Sequence, residues 1–187
     1  MTRFNTGILI GVAAIALAAL FVHFGIFDVA ADAPHSALVY AAIEAVRDRS
    51  IAVRAKNIQV PPLDNPELIA GGAKHYDAMC ADCHFAPGTQ QSEMREGLYP
   101  QPPNLTEKSD LVPAEMFWVI KHGIKMSAMP AWGKTHDDRS IWGLVAFLQK
   151  LPALTPEQYR ALVPSGESRH HDHQHSHDHD TSGKHEK

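Results

Sequence analysis

Cysteine is scarce in this 187-residue chain: only Cys80 and Cys83 are present, two residues apart. A disulfide framework needs several spaced pairs, so the chain is not a stapled scaffold. No second cysteine pair exists to complete a zinc site of the four-ligand kind. Positive charge is not in excess either. The formal net charge is −4, which gives nucleic-acid binding no electrostatic support. No alternating strand pattern of useful length occurs, and no internal repeat. Histidine, by contrast, is abundant at 13 residues, seven of them after Arg169.

One long apolar run is present near the N-terminus. Gly7 to Phe27 is interrupted only by His23 and would span about 31 Å as a helix, close to a bilayer's hydrocarbon thickness. Arg3 precedes the run, and Asp28 and Asp32 come after it, a bias that favours a cytoplasmic N-terminus. The competing reading is a signal peptide cleaved near Ala31-Asp32-Ala33. Either reading exports the chain from residue 34 onward. Residues 1–33 are thus expected to be a membrane anchor or signal. Residues 34–64 are expected to form an amphipathic stalk, helical over Ser36–Lys56 and broken by Val60-Pro61-Pro62. A compact domain is expected over residues 65–160. Its helices should run from Asn65-Pro66 to about Cys80, from Pro113 to Lys121 with a cap at or after Asp110, and from Asp137 to Leu151. The segment from Pro87 to Asp110 should be mostly loop. Residues 161–187 have the composition of a disordered tail.

The two cysteines stand in Cys80-Ala81-Asp82-Cys83-His84. Cys-x-x-Cys-His is the attachment pattern for a covalent c-type haem. Two thiols add to the two porphyrin vinyl groups across one helical turn, and the next residue's imidazole is placed as an iron ligand. A thioredoxin-like dithiol would need flanking strands, and none is expected. The second axial ligand should come from a loop before the last helix. Met126 and Met129 are the candidates, with His122 as a competitor and a copper site from these three as a remoter alternative. A thioether raises the reduction potential, and Pro130 stiffens the backbone after Met129.

The stretch from about Leu68 to Leu151 resembles class I cytochrome c domains. Gly72 and Tyr76 ahead of Cys80, Met129-Pro130, and Trp142 with Phe147 carry the resemblance. It implies an all-α fold of three to five helices around one haem. The first and last helices would cross closely, Gly72 and Tyr76 meeting Trp142, Val145 and Phe147. It implies His84 and Met129 as axial ligands, with Met126 packing against the haem or a neighbouring loop. Leu98 to Leu105 resembles the proline-containing loop on the proximal side. Pro103 and Leu105 would lie near His84, and a carbonyl there, not fixed by the resemblance, would accept the imidazole N–H. Arg95, Tyr99 and Trp132 are candidate donors to the haem propionates, with Trp118 as core. His75 and His136 are expected in solvent. Lys121, Lys125 and Lys134 surround the methionine loop and would suit an acidic redox partner. The whole arrangement is similar to membrane-anchored monohaem cytochromes of bacteria, with the haem domain on the periplasmic side of the inner membrane.

The implied function is single-electron transfer between an unidentified donor and acceptor, not catalysis. Iron with six ligands leaves no open position, and a peroxidase would need Met129 to leave. The alternative is a metal-handling or metal-sensing protein. In the tail, His170, His171, His173, His175, His177 and His179 alternate with polar and acidic residues. Neutral imidazoles there suit copper, nickel or zinc, with affinity falling below about pH 6 as the rings protonate.

Overall fold

A computed structural model describes residues 2–163; the histidine-rich stretch from His170 lies outside the described residues. Among the described residues the chain is all helical, as expected. The helices are α1 (Thr2–His23), α2 (Ala37–Ala55), α3 (Pro66–Met79), α4 (Ala81–His84), α5 (Glu93–Glu96), α6 (Pro113–His122), α7 (Asp138–Leu148) and α8 (Pro156–Leu162). Two 3₁₀ turns, Trp132–Lys134 and Leu151–Ala153, flank α7.

The apolar N-terminal run is helical, but it ends at His23 rather than Phe27. Gly25 adopts φ +59, and the Ile26 N–H reaches back to the Phe21 carbonyl at 3.3 Å. That is a Schellman closure, which a glycine in left-handed backbone makes easy. The span Phe4–His23 keeps 20 residues, about 30 Å of helix, and is exposed throughout.

The helix starts follow the capping chemistry of the sequence. Asn65 Oδ1 accepts from the N–H groups of Glu67 and Leu68, with Pro66 in the first turn of α3. Asp137 caps α7 by accepting from Ser140 N–H at 2.8 Å. Each such cap contributes about 1 kcal/mol. Asp110 does not cap α6. Val112 holds that position, and the Glu115 carboxylate accepts from its N–H at 3.2 Å. Helix α7 stops at Leu148 rather than Leu151, where the chain tightens into the 3₁₀ turn ahead of Pro152. Unexpected from the sequence is α8, although Thr155 and Gln158 cap it reciprocally and Pro156 starts it.

The core lies where α3 crosses α7. Tyr76, Ile141, Leu144, Val145, Phe147 and Leu151 are its largest fully buried side chains. Gly72 of α3 faces Gly143 of α7. A Cβ on Gly72 would overlap the Gly143 carbonyl oxygen and lie 2.9 Å from Leu144 N. Tyr76 packs on Phe147 with ring centroids 5.3 Å apart. The expected crossing is present, but its counterpart to Gly72 is a second glycine, and Trp142 instead stacks on Phe117 of α6 at 4.2 Å. The end of α2 also joins this body: Ile51 and Ala55 are buried, and α2 packs on α6.

Gly72→Ala should therefore cost about 2–3 kcal/mol through helix separation. Gly71→Ala, with open space around its Cβ position, should be neutral or stabilising. Denaturant titration of both variants measures the difference.

Candidate functional site

Helix α3 delivers its last residues directly to the cysteine turn. The chain kinks at Cys80 (φ −115) and resumes as α4. The N–H groups of Cys83 and His84 both point to the Cys80 carbonyl, at 3.1 and 2.9 Å. Cys80, Cys83 and His84 are therefore presented by one turn, as the spacing predicts. Both thiols are free. Burial pushes the Cys80 thiol up to about 12, and burial also raises Cys83.

His84 is held by its ring. Nδ1 lies 2.8 Å from the Pro103 carbonyl oxygen. A carbonyl only accepts, so Nδ1 carries the proton and Nε2 keeps its lone pair. Burial lowers the imidazole's proton affinity, although the bond to Pro103 works the other way. The neutral ring is the ligating form. The main chain here is also pinned. Leu105 N–H donates to the His84 carbonyl at 3.1 Å. Tyr76 Oη donates to the Phe85 carbonyl at 2.6 Å. Phe85 itself sits at φ 66, a conformation costly for a bulky residue and sustained only by strong surroundings.

The loop after α5 is built to hold Pro103. Arg95 Nε donates to the Pro102 carbonyl at 3.2 Å and Nη1 to Gln101 at 3.1 Å. Its guanidinium lies over the Phe85 ring at 4.7 Å. Ser92 ties the start of α5 back to the Asp82 carbonyl. Tyr99 takes another direction. Its hydroxyl accepts from the His35 N–H at 2.9 Å, and its ring neighbours His35 and Tyr40.

On the far side of α6, the loop that carries Met129 is closed on itself. Ile124 N–H donates to the Met129 carbonyl, Met129 N–H to Ser127 Oγ, and Ser127 Oγ to the Ile124 carbonyl. Gly123 starts it at φ +66, and a Cβ there would meet Met129 O, Pro130 C and Ala131 N at 2.7–2.8 Å. Met129 is half-buried against the core, as are Leu105 and Trp132. Met126 is 98 % exposed at φ 59, so of its two expected packing partners, the haem or a neighbouring loop, the loop is excluded. His122 is exposed at the end of α6 beside Trp118, the place of a surface histidine. His75 and His136 are not simply in solvent. Both are half-buried, with ring centroids 5.3 Å apart. Lys121 is engaged with Asp138 at 2.6 Å, whereas Lys125 and Lys134 are exposed.

These residues fit a covalent haem. Two unlinked thiols share one turn with an imidazole whose Nδ1 is already occupied. A half-buried thioether stands on a separate rigid loop. The sequence places the accepting carbonyl in the loop from Leu98 to Leu105 without fixing it as that of Pro103, and it misses Gly143 as the counterpart of Gly72.

Residues 67–148 match the family model described as cytochrome C oxidase, cbb3-type, subunit III. The match runs from α3 through α7 and contains the cysteine turn, the Pro103 loop and the Met129 loop. No curated protein matches the chain. The matched region carries its own attachment residues on the expected turn, and it is a c-type cytochrome domain.

Proposed function

We propose that the chain is a one-electron carrier, with a single haem c held by Cys80 and Cys83 and ligated by His84 and Met129. It is tethered by α1 to the bacterial inner membrane with the haem domain in the periplasm. The observation that carries this reading is the His84 Nδ1–Pro103 bond directly after the cysteine pair. It fixes the ring's tautomer and leaves Nε2 for a metal. When bound, the haem supplies a single-electron couple. The chain's residues supply the rest. The bond from His84 to Pro103 makes the imidazole a stronger donor. Met129 adds a soft ligand that favours the reduced state. The closed hydrogen-bond circuit of Ile124, Ser127 and Met129 holds that sulfur without large rearrangement. Arg95 braces the Pro103 loop and sets a positive charge beside Phe85, suited to propionate groups; Trp132 is a second candidate donor, whereas the Tyr99 hydroxyl is engaged with the His35 N–H. Exposed Lys125 and Lys134 suit an acidic redox partner in brief contact.

The purified holoprotein should show one covalent haem and, when oxidised, the weak methionine-to-iron charge-transfer band. Met129→Ala should abolish that band, lower the potential by roughly 100 mV or more and let the reduced protein bind carbon monoxide. Met126→Ala should change none of these. If the visible spectrum survives Met129→Ala, the ligand is another residue.

Gly123→Ala tests the loop. Its Cβ has no room, so the charge-transfer band should weaken although Met129 is still present. An intact band in that variant would show that the loop's closure is not what holds the sulfur.

A further inference from the structure

Helix α2 has two apolar faces, and only one is covered. Ile51 and Ala55 are 5 % and 2 % exposed on the face towards α6. On the opposite side, Leu38, Val39, Ile43, Val46 and Val53 fall within one arc by helical period. Leu38, Val46 and Ile43 are 81, 71 and 52 % exposed. In its C-terminal half this arc forms a shallow groove, with Val46 and Val53 between Arg49 and Arg54. The charges are sided. The acidic residues of α2, Glu44 and Asp48, lie on the other side, where both pair with Arg47 at 3.3 and 2.8 Å. Arg49 and Arg54 flank the C-terminal part of the arc, Val46 and Val53.

The arc begins where the anchor ends. Phe21 of α1, Ile26 and Phe27 of the connection, and Val39 of α2 line one cavity. The connection itself exposes Phe24, Ile26 and Val29. An apolar strip bordered by arginines and continuous with a membrane-crossing helix has the pattern of an interfacial helix. Arginine stems can lie along apolar surface with their heads among anionic lipid groups.

We propose that α2 lies in the surface of the same bilayer that α1 crosses, with Leu38, Val39, Ile43, Val46 and Val53 at the headgroup–acyl boundary. The inference rests on the reading of α1 as an anchor. Its consequence is an oriented domain. Helix α6 rests on the water-facing side of α2, and Tyr99 ties the Pro103 loop to His35 in the connection. The domain is then held at the membrane rather than swinging on a free stalk.

The test uses the mature full chain, whose own thiols are consumed by haem attachment. Single cysteines are introduced as Ile43→Cys, Val46→Cys and Asp48→Cys. Each protein is reconstituted sparsely in vesicles of phosphatidylethanolamine and phosphatidylglycerol and alkylated with a bulky water-soluble maleimide. Cysteines at 43 and 46 should react about tenfold more slowly than at 48, because they are buried in lipid. Equal rates in a chain that floats with the vesicles would overturn the docking and leave the anchor intact. A chain that fails to float would remove the anchor, and the docking with it. Protection that appears only as chains are crowded would assign the arc to a second copy and overturn the proposal.

Discussion

Between α3 and α7 the two backbones touch with no side chain between them. A single methyl group on Gly72 would overlap the Gly143 carbonyl, and one on Gly143 would lie 3.0 Å from the Leu68 carbonyl. Because the helices approach this closely, Tyr76, one turn further along α3, is driven fully into the core against Phe147. Its hydroxyl then emerges where the chain leaves α4 and fastens the Phe85 carbonyl. The position of the cysteine turn is thus set from behind, by a contact that no ligand touches. A fixed scaffold of this kind keeps reorganisation small between redox states, since interiors packed at crystal density do not deform continuously.

Two loops complete the site, and each is held by a different device. The Pro103 loop has few N–H groups of its own, because Pro100, Pro102 and Pro103 lack them. Its carbonyls are consequently available, one to Arg95 and the next to His84. The Met129 loop relies instead on a glycine. Gly123 turns the chain at a positive φ and lets the Met129 carbonyl come close enough to bond Ile124. Proline supplies stiffness on one side and glycine supplies close approach on the other, and α6 stacks on α7 through Phe117 and Trp142.

Much of this is legible in the sequence because it is local. The cysteine turn, the Asn65 and Asp137 caps and the Met129-Pro130 loop are short-range patterns with known chemistry. The features that escape a sequence reading depend on long-range contact. Which carbonyl accepts from His84 is settled only when residues 19 apart meet. The partner of Gly72 lies on another helix, although an isolated glycine inside the apolar run Trp142-Gly143-Leu144 is itself a sign of close packing. The direction of Tyr99 depends on the anchor-side connection. Helix α8 escapes despite its local signature, Thr155-Pro156-Glu157-Gln158, since it comes after a proline stop that reads as the end of the last helix. Its Tyr159 returns to α3 and donates to Asp77 at 2.9 Å, so the folded body extends past that stop.

The same distinction explains why α2 reads as a stalk in sequence and as part of the body in structure. An amphipathic pattern reports that a helix has an apolar side, but not how many neighbours it serves. Ile51 and Ala55 lie on the side opposite the more conspicuous Leu38, Ile43 and Val46, and they are the two that the core takes in. A helix whose weaker face is buried and whose stronger face is left open is mechanically a bridge. It is rigidly joined to the domain at its C-terminal end and placed beside the end of α1 at its start. Whatever covers the open face therefore fixes the orientation of His84 and Met129 together, because α2 packs directly on α6.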